Sequence, residues 1–420
     1  MSDSNRSNSS SSSSSSSLED YLPQFKNGDA VGDYIVRGYI GKGLSSTVWK
    51  VSKESDIKTE MFALKAYTTK DKDLIHYSQR ELENYKKCAC KESSYTVDFV
   101  KDLAINEAKF LVLPLAQGDL FHFLRERGPM RPHTAHVAFK HVLKGVEHLH
   151  SKNLAHGDIK PENILVFISE GKWTLKLSDF DSVLQYDESG VTKDQSHCSH
   201  DYRPPELLLE DKYYLRSDMW SVGCLFYEMV TAESLFDVDD DYDSDYTGGE
   251  YDNGDEYDNV DKSINVESSI PPAVEKSTPI PIPVSAVPAV PAVPISADNS
   301  LMSSSESEED DDDDDEVLEH LAQMIEILGP VPKAFTKRYR EWFTKRGYLR
   351  ACRVGFQKGI TRLLKDEDIG NREAAEWSAI ISPLLSYAYK QRPTASETIK
   401  HRFLDSWPDI DCVPLGSGCR

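Results

Sequence analysis

The hydrophobic pattern changes period once along this chain. Tyr34-Ile35-Val36 and Thr47-Val48-Trp49-Lys50-Val51 are short β-branched and aromatic runs separated by a glycine-containing turn. Met61-Phe62-Ala63-Leu64-Lys65-Ala66-Tyr67 reads as a third strand. From Asp73 to Lys87 acids and bases recur at helical spacing. Beyond Thr134 the period is that of a helix, with Ala135, Val137, Ala138, Val142, Val146 and Leu149 as a buried stripe. Ser217 to Val230 predicts another apolar helix. Strands first and helices later predict an α+β fold with a β-rich N-terminal lobe (34–116) and a helical C-terminal lobe (117–404).

Two stretches depart from this pattern. Ser9 to Ser17 is an unbroken serine run, which buries too little apolar surface to offset ordering entropy, so order is expected to begin near Leu18 or Tyr34. Residues 1–33 are thus read as a disordered segment. The second is 237–316: an Asp/Tyr/Gly tract, then eight prolines between Pro271 and Pro294, then Ser303-Ser304-Ser305 running into Asp310 to Asp315. It reads as a disordered acidic insert with an extended proline-rich middle. Ser303, Ser305 and Ser307, ahead of acids, resemble targets of acidophilic kinases. Helical patterning resumes at Val317 and runs to about Phe403, so the insert interrupts one domain; 405–420 reads as a tail.

The net charge of -23 resides in that insert. It holds 25 acids against Lys262 and Lys276, leaving 46 acids and 46 bases elsewhere. A near-neutral body thus carries one segment that repels nucleic acid and attracts basic partners. The basic stretch Lys337 to Arg353 fits a helix surface, so no direct nucleic-acid contact is expected. The seven cysteines are scattered, with Cys88 and Cys90 at neither redox nor zinc-knuckle spacing. Free thiols in the cytoplasm or nucleus are expected. Neither a signal peptide nor a membrane span is read, and a monomer is the default.

Ile40-Gly41-Lys42-Gly43-Leu44-Ser45-Ser46-Thr47-Val48 lies between the first two predicted strands. Glycines there let the backbone approach phosphates closely, and a strand–turn–strand frame suits a flap over ATP. The dinucleotide fingerprint is excluded, because it must open a helix. Lys65 follows on the third strand, placed to hold phosphates. It needs a carboxylate partner on the next helix, for which Glu81 is the choice and Glu83 the competitor.

His156-Gly157-Asp158-Ile159-Lys160-Pro161-Glu162-Asn163-Ile164-Leu165 closely resembles the catalytic loop of protein kinases. By that resemblance Asp158 is the catalytic base, Asn163 holds Mg2+, and Lys160 neutralises the γ-phosphate. Lys-Pro-Glu-Asn is of the serine/threonine type. Asp179-Phe180-Asp181 is similar to the family's D-F-G motif, which makes Asp179 the second Mg2+ ligand. Tyr202-Arg203-Pro204-Pro205-Glu206 resembles the A-P-E region, with Arg392 as the arginine that pairs with Glu206. Asp218 to Gly223 resembles the family's central helix. The resemblance runs in family order from about residue 34 to 404 and implies a two-lobed kinase fold.

Ile327-Leu328-Gly329-Pro330 resembles the CMGC group. Within it, Ser46-Thr47-Val48-Trp49, the run Glu319 to Gly329, and Trp342 to Gly347 are similar to SR-protein kinases. That family reads Arg/Ser-rich substrates with a carboxylate-lined groove, which maps to Glu233, Glu319 and Glu326. The plain alternative is that these are solvated helix-face acids. Gly157 stands where most kinases have the arginine that clamps a phosphorylated activation loop, so activity without loop phosphorylation is expected. Asp181 replaces the D-F-G glycine and adds a charge near the metals. The insert falls after Phe236, not before D-F-G, and its polyacidic end could prolong the groove. The competing reading is a pseudokinase scaffold binding basic partners.

Overall fold

The computed structural model describes residues 22–43, 46–55, 60–68, 72–88, 90–105, 108–169, 172–187, 191–192, 198–210, 212–237, 310–351 and 357–405. The N-terminal half is built on six strands: β1 (Ala30–Val31), β2 (Tyr34–Lys42), β3 (Ser46–Lys53), β4 (Met61–Tyr67), β5 (Lys101–Ile105) and β6 (Ala108–Pro114). They form one antiparallel sheet in the order β1-β2-β3-β4-β6-β5. Each predicted strand is present, and helix α1 (Lys72–Cys88) follows β4 as its charge spacing predicts. Register shifts between Val36 and Gly38 and between Tyr39 and Gly41 bend β2 toward its turn with β3.

One face of the sheet has its own apolar core of Val36, Trp49, Val51, Phe62, Leu64 and neighbours. Phe25 lies edge-on to Trp49 at 5.5 Å, and Thr47 donates a hydrogen bond to the Pro23 carbonyl at 2.7 Å. Pro23, Phe25 and β1 therefore contact the sheet, although most of residues 22–33 are exposed, so order begins earlier than residue 33, where the disordered segment was expected to end. A short apolar cluster of Tyr21, Leu22 and Phe25 broken by Pro23 leaves little periodic signal. Residues 1–21, including the serine run, lie outside the described residues.

The second half begins with β7 (Gly118–Asp119), α2 (Leu120–Arg127), α3 (Pro132–Ser151) and β8 (Leu154–Ala155). Next come β9 (Ile164–Ser169) and β10 (Lys172–Leu177), then α4 (Pro205–Glu210) and α5 (Asp218–Thr231). After the acidic segment follow α6 (Asp310–Leu328), α7 (Lys333–Arg338), α8 (Ile360–Asp366), α9 (Asn371–Leu384), α10 (Ala395–Ile399) and α11 (Arg402–Asp405). All of α5 is buried, and α3 is buried over most of its circumference, as expected of helices inside a bundle. Phe139 of α3 stacks on Phe226 of α5 with ring centroids 3.7 Å apart, and Trp377 of α9 joins them. Gly223 permits this packing: a Cβ there would lie 2.9 Å from Leu385. The expected α+β, two-lobed architecture is present.

The start of α6 differs from expectation. It begins at Asp310, inside the stretch read as disordered, and Asp237 at the other edge pairs with Gln323. Aspartates in the first turns of a helix complement its dipole, so an acidic run ahead of an apolar stripe extends that helix. Residues 238–309, with Ser303, Ser305 and Ser307, lie outside the described residues, as do 406–420. Of the basic stretch Lys337 to Arg353, only Lys337 and Arg338 fall on a helix; Tyr339 to Ala351 form turns and bridges. Cys88, Cys90, Cys198 and Cys224 are buried thiols. No helix of the described residues is long and apolar enough to cross a membrane.

His320 of α6 is buried against Phe236, with ring centroids 5.5 Å apart. Burial, with Arg203 and His200 nearby, pushes its imidazole down to about 3. The folded chain keeps it neutral, whereas the unfolded chain takes up a proton below about pH 6.5. Its contribution is therefore complete above that pH and lost as pH falls. Relative to the parent, His320→Leu should gain about 2 kcal/mol of stability between pH 7 and pH 5. Urea unfolding at both pH values measures it, and an unchanged difference would mean that His320 is protonated in the fold.

Candidate active site

The hairpin β9–β10 places the first pair of candidate ligands. Its register ends with Ile164 opposite Leu177, so Asn163 precedes one strand where Ser178 and Asp179 follow the other. Ser178 donates to the Asn163 carbonyl through both its N–H (2.9 Å) and its Oγ (3.0 Å). Asn163 spends its amide on Asp158, at 2.8 Å to the carbonyl and 3.0 Å to Oδ2. That leaves its side-chain oxygen as an acceptor. The carboxylate of Asp179, on a backbone with φ of 59°, stays about a third exposed. Two oxygen donors on one hairpin end suit a hard cation such as Mg2+, which takes one or two carboxylates plus substrate phosphates.

The loop before β9 is fixed from beneath by Asp218, the first residue of α5. Its Oδ2 accepts from the His156 N–H (2.8 Å) and from His150 Nε2 (2.9 Å). Its Oδ1 accepts from the Gly157 N–H (3.0 Å) and from the Tyr213 hydroxyl (2.9 Å). Burial works against this charge, but the hydrogen bonds and the nearby His150 and His156 outweigh it and hold the carboxyl below its usual range. Gly157 has φ of 86°, a left-handed conformation that resists a side chain. Glycine at 157 suits that conformation.

Asp158 is held at both oxygens. Oδ1 accepts from the N–H and the Oγ of Ser199, each at 3.2 Å. Oδ2 takes Asn163 and lies 3.3 Å from Lys160 Nζ. Lys160 also donates to Ser199 Oγ at 2.6 Å. Burial opposes its charge, but Asp158 and Glu162 keep the ammonium well above its usual range.

Lys65 of β4 joins the two halves of the molecule. Its Nζ lies 2.8 Å from Glu81 of α1 and 3.1 Å from Asp179. Glu81 is the partner, as expected: it belongs to the buried stripe Glu81, Asn84, Tyr85 and Cys88, while the competitor Glu83 is exposed. Burial opposes the Lys65 charge, but Asp179, Glu81 and Asp181 raise it well above the ordinary lysine range. Tyr67 also donates a 2.6 Å hydrogen bond to Glu81, at the oxygen nearest Lys65. Phe180 is fully buried edge-on to Tyr85 at 4.8 Å, and Asn84 donates to its carbonyl at 2.7 Å. Asp181 is crowded by burial and by Asp179, which push its carboxyl up to about 6.

The turn between β2 and β3 closes with Gly43 N–H donating to the Ser46 carbonyl at 2.8 Å. Gly41 has open space where a Cβ would stand, so a ligand can approach its backbone. Ile40 and Val48 are partly buried and pack on the main core, which also contains Ala63 and Leu113. Ser46 is buried, and Thr47 turns its hydroxyl to Pro23, so neither side chain serves as a solvent-facing phosphate contact. Lys42 is half-buried on β2; Leu44 and Ser45 lie outside the described residues.

The three candidate docking acids are only partly brought together. Glu233 and Glu326 line one open pocket of about 450 Å3 with Asp237, Glu367, Gln323 and Lys358. Glu326 pairs with Lys358 at 2.9 Å. Glu319, two turns earlier on α6, is exposed and outside that lining. Sequence reasoning missed Asp237, Glu367, Ser199, Tyr67 and the clamp of Asp218.

Glu206 and Arg392 meet as predicted, in a fully buried bidentate pair at 2.7 Å on each side. Ser217 donates to the same carboxylate, and Arg392 Nε donates to the Ser386 carbonyl at 2.8 Å. Just beyond, Thr394 and Glu397 form a capping box on α10. Arg392→Met should cost about 3–5 kcal/mol by stranding a buried charge. Adding Glu206→Gln should recover part of that loss, read from denaturant midpoints; full independence of the two changes would contradict the pairing.

Residues 34–404 match a family model described as protein kinase domain. The chain is similar to the serine/threonine-protein kinase SSN3 of Yarrowia lipolytica, at 30% identity over 219 residues, 48% of this chain and 53% of that protein. It is also similar to the serine/threonine-protein kinase AtPK1/AtPK6 of Arabidopsis thaliana, at 28% over 225 residues, 52% of this chain and 46% of the other. Mitogen-activated protein kinase 2 of Oryza sativa is 35% identical over 128 residues, 30% of this chain and 32% of the other. The chain spans about half the length of the curated relatives it matches, or less.

Proposed function

This chain belongs to the protein kinase domain family; we propose that it is a serine/threonine protein kinase and, from the acidic pocket by α6, that it acts on Arg/Ser-rich proteins. The observation that carries the reading is the Asp158 carboxylate, oriented at both oxygens by Ser199, Asn163 and Lys160. It can accept a hydrogen bond from a substrate hydroxyl and take its proton as the oxygen attacks the γ-phosphorus. A new O–P bond forms, the bond to the bridging oxygen breaks, and ADP carries that electron pair away. Lys160 faces the transferring group, and Lys65, fixed by Glu81, holds the α- and β-phosphates. Ile40 and Val48 offer an apolar surface to the adenine. Asn163 and Asp179 would hold Mg2+, which neutralises phosphate charge when bound.

Substrate preference rests on the pocket by α6. Four carboxylates, from Glu233, Asp237, Glu326 and Glu367, face one lysine there. Guanidinium–carboxylate pairing is the natural physics for reading arginine-rich segments. Glu319 extends the acidic line along α6.

An Arg-Ser repeat peptide should accept γ-phosphate from Mg-ATP in preference to an arginine-free serine peptide. Asp158→Ala should lower transfer by about 10²–10⁴-fold. Equal turnover of both peptides would remove the Arg/Ser assignment, and transfer unaffected by Asp158→Ala would contradict the base. Replacing Glu233 and Glu326 together with lysine should raise KM for the Arg-Ser peptide about tenfold with little change in kcat, an effect that shrinks at high salt. Steady-state kinetics at two ionic strengths measures it, and an unchanged KM would return these acids to a solvated surface.

A further inference from the structure

Both stems of the acidic segment close on the loop that carries Ser199. On the N-terminal stem, Ser234 Oγ donates to Asp201 at 2.8 Å. On the C-terminal stem, one oxygen of Glu316 accepts from Arg203 Nη1 at 3.0 Å and lies 3.1 Å from His200 Nε2. Arg203 is buried, and its Nε donates to the Cys198 carbonyl at 2.7 Å. The stems are also clipped to each other: Asp237 N–H donates to Gln323 Oε1 at 3.0 Å, and Gln323 Nε2 donates to the Asp237 carbonyl at 2.6 Å. Residues 198–203 are thus gripped from two sides by chain that flanks the insert. Ser199, within that loop, is bonded to both Asp158 and Lys160.

A buried guanidinium requires a counter-charge, since an uncompensated one disrupts the backbone around it. A phosphate added to a loop can supply such a charge. Here the charge is a carboxylate already in the chain, six residues into α6. We propose that Glu316 is a positioning residue: a built-in counter-charge that holds residues 198–203, and through Ser199 the Asp158–Lys160 pair, in the arrangement that accepts a substrate hydroxyl. The end of the acidic insert is then part of the substrate-receiving machinery, and no added phosphate is needed to order the loop. This inference rests on the kinase reading given above.

The test uses the full chain after phosphatase treatment, with Glu316→Gln and Glu316→Asp beside it. Peptide and ATP are varied separately, and hydrogen exchange is followed across residues 198–203. Glu316→Gln should lower kcat at least about tenfold without changing KM for ATP. Exchange in 198–203 should quicken while the β2–β4 sheet stays protected, and Glu316→Asp should restore much of both. Parent-like kcat and parent-like exchange in Glu316→Gln would overturn the inference, as would loss of the parent's activity on phosphatase treatment. If the parent transfers phosphate to no peptide, the kinase reading fails; the exchange result alone then decides whether Glu316 holds the loop.

Discussion

A largely buried lysine is unstable unless carboxylates meet it, and in this protein that requirement joins three separately built pieces. Lys65 stands on the sheet, Glu81 on α1, and Asp179 beyond the end of the β9–β10 hairpin. None of the three is near the others in sequence, so the ionic contact exists only when sheet, helix and hairpin are all in place. The neighbouring packing serves the same end. Tyr67 braces Glu81, and Asn84 and Tyr85, one turn further along α1, hold the backbone and ring of Phe180 beside Asp179.

The other half of the site depends on a second buried charge. Asp218 collects four donors, two of them main-chain N–H groups of the catalytic loop, and so sets the direction in which Asp158 leaves that loop. Because α5 is buried along its whole length, the carboxylate has a rigid base. Gly157 adapts the backbone to this anchor, and Glu206 with Arg392 fastens the following segment to the end of the bundle. Such preorganisation is what phosphoryl transfer asks of a protein, because the chemistry itself is mainly positioning and charge neutralisation.

Much of this was legible in the sequence because it is local. Alternation gave the strands at 34–67, helical period gave α3 and α5, and the run around Asp158 carried its chemistry within ten residues. Glu81 was legible as the partner of Lys65, and the stripe through Asn84, Tyr85 and Cys88 is what separates it from Glu83. The rest depended on contacts between distant residues with no signature of their own. Nothing near Ser199 tells that it will bond Asp158, and nothing in the run from Asp310 to Glu316 tells that Glu316 will meet Arg203. Phe25 was lost in a short apolar cluster broken by Pro23, and the helical start at Asp310 was hidden by a composition that reads as disorder.

The proposed role of Lys65 and Asp179 is to bind a metal-bound nucleoside triphosphate together. Calorimetric titration of the full chain with a non-hydrolysable ATP analogue, with and without Mg2+, addresses it most directly. Binding should depend on Mg2+, weaken by about an order of magnitude or more in Lys65→Met, and become indifferent to Mg2+ in Asp179→Asn. Binding that ignores Mg2+ in the parent chain, or survives Lys65→Met unchanged, would contradict it.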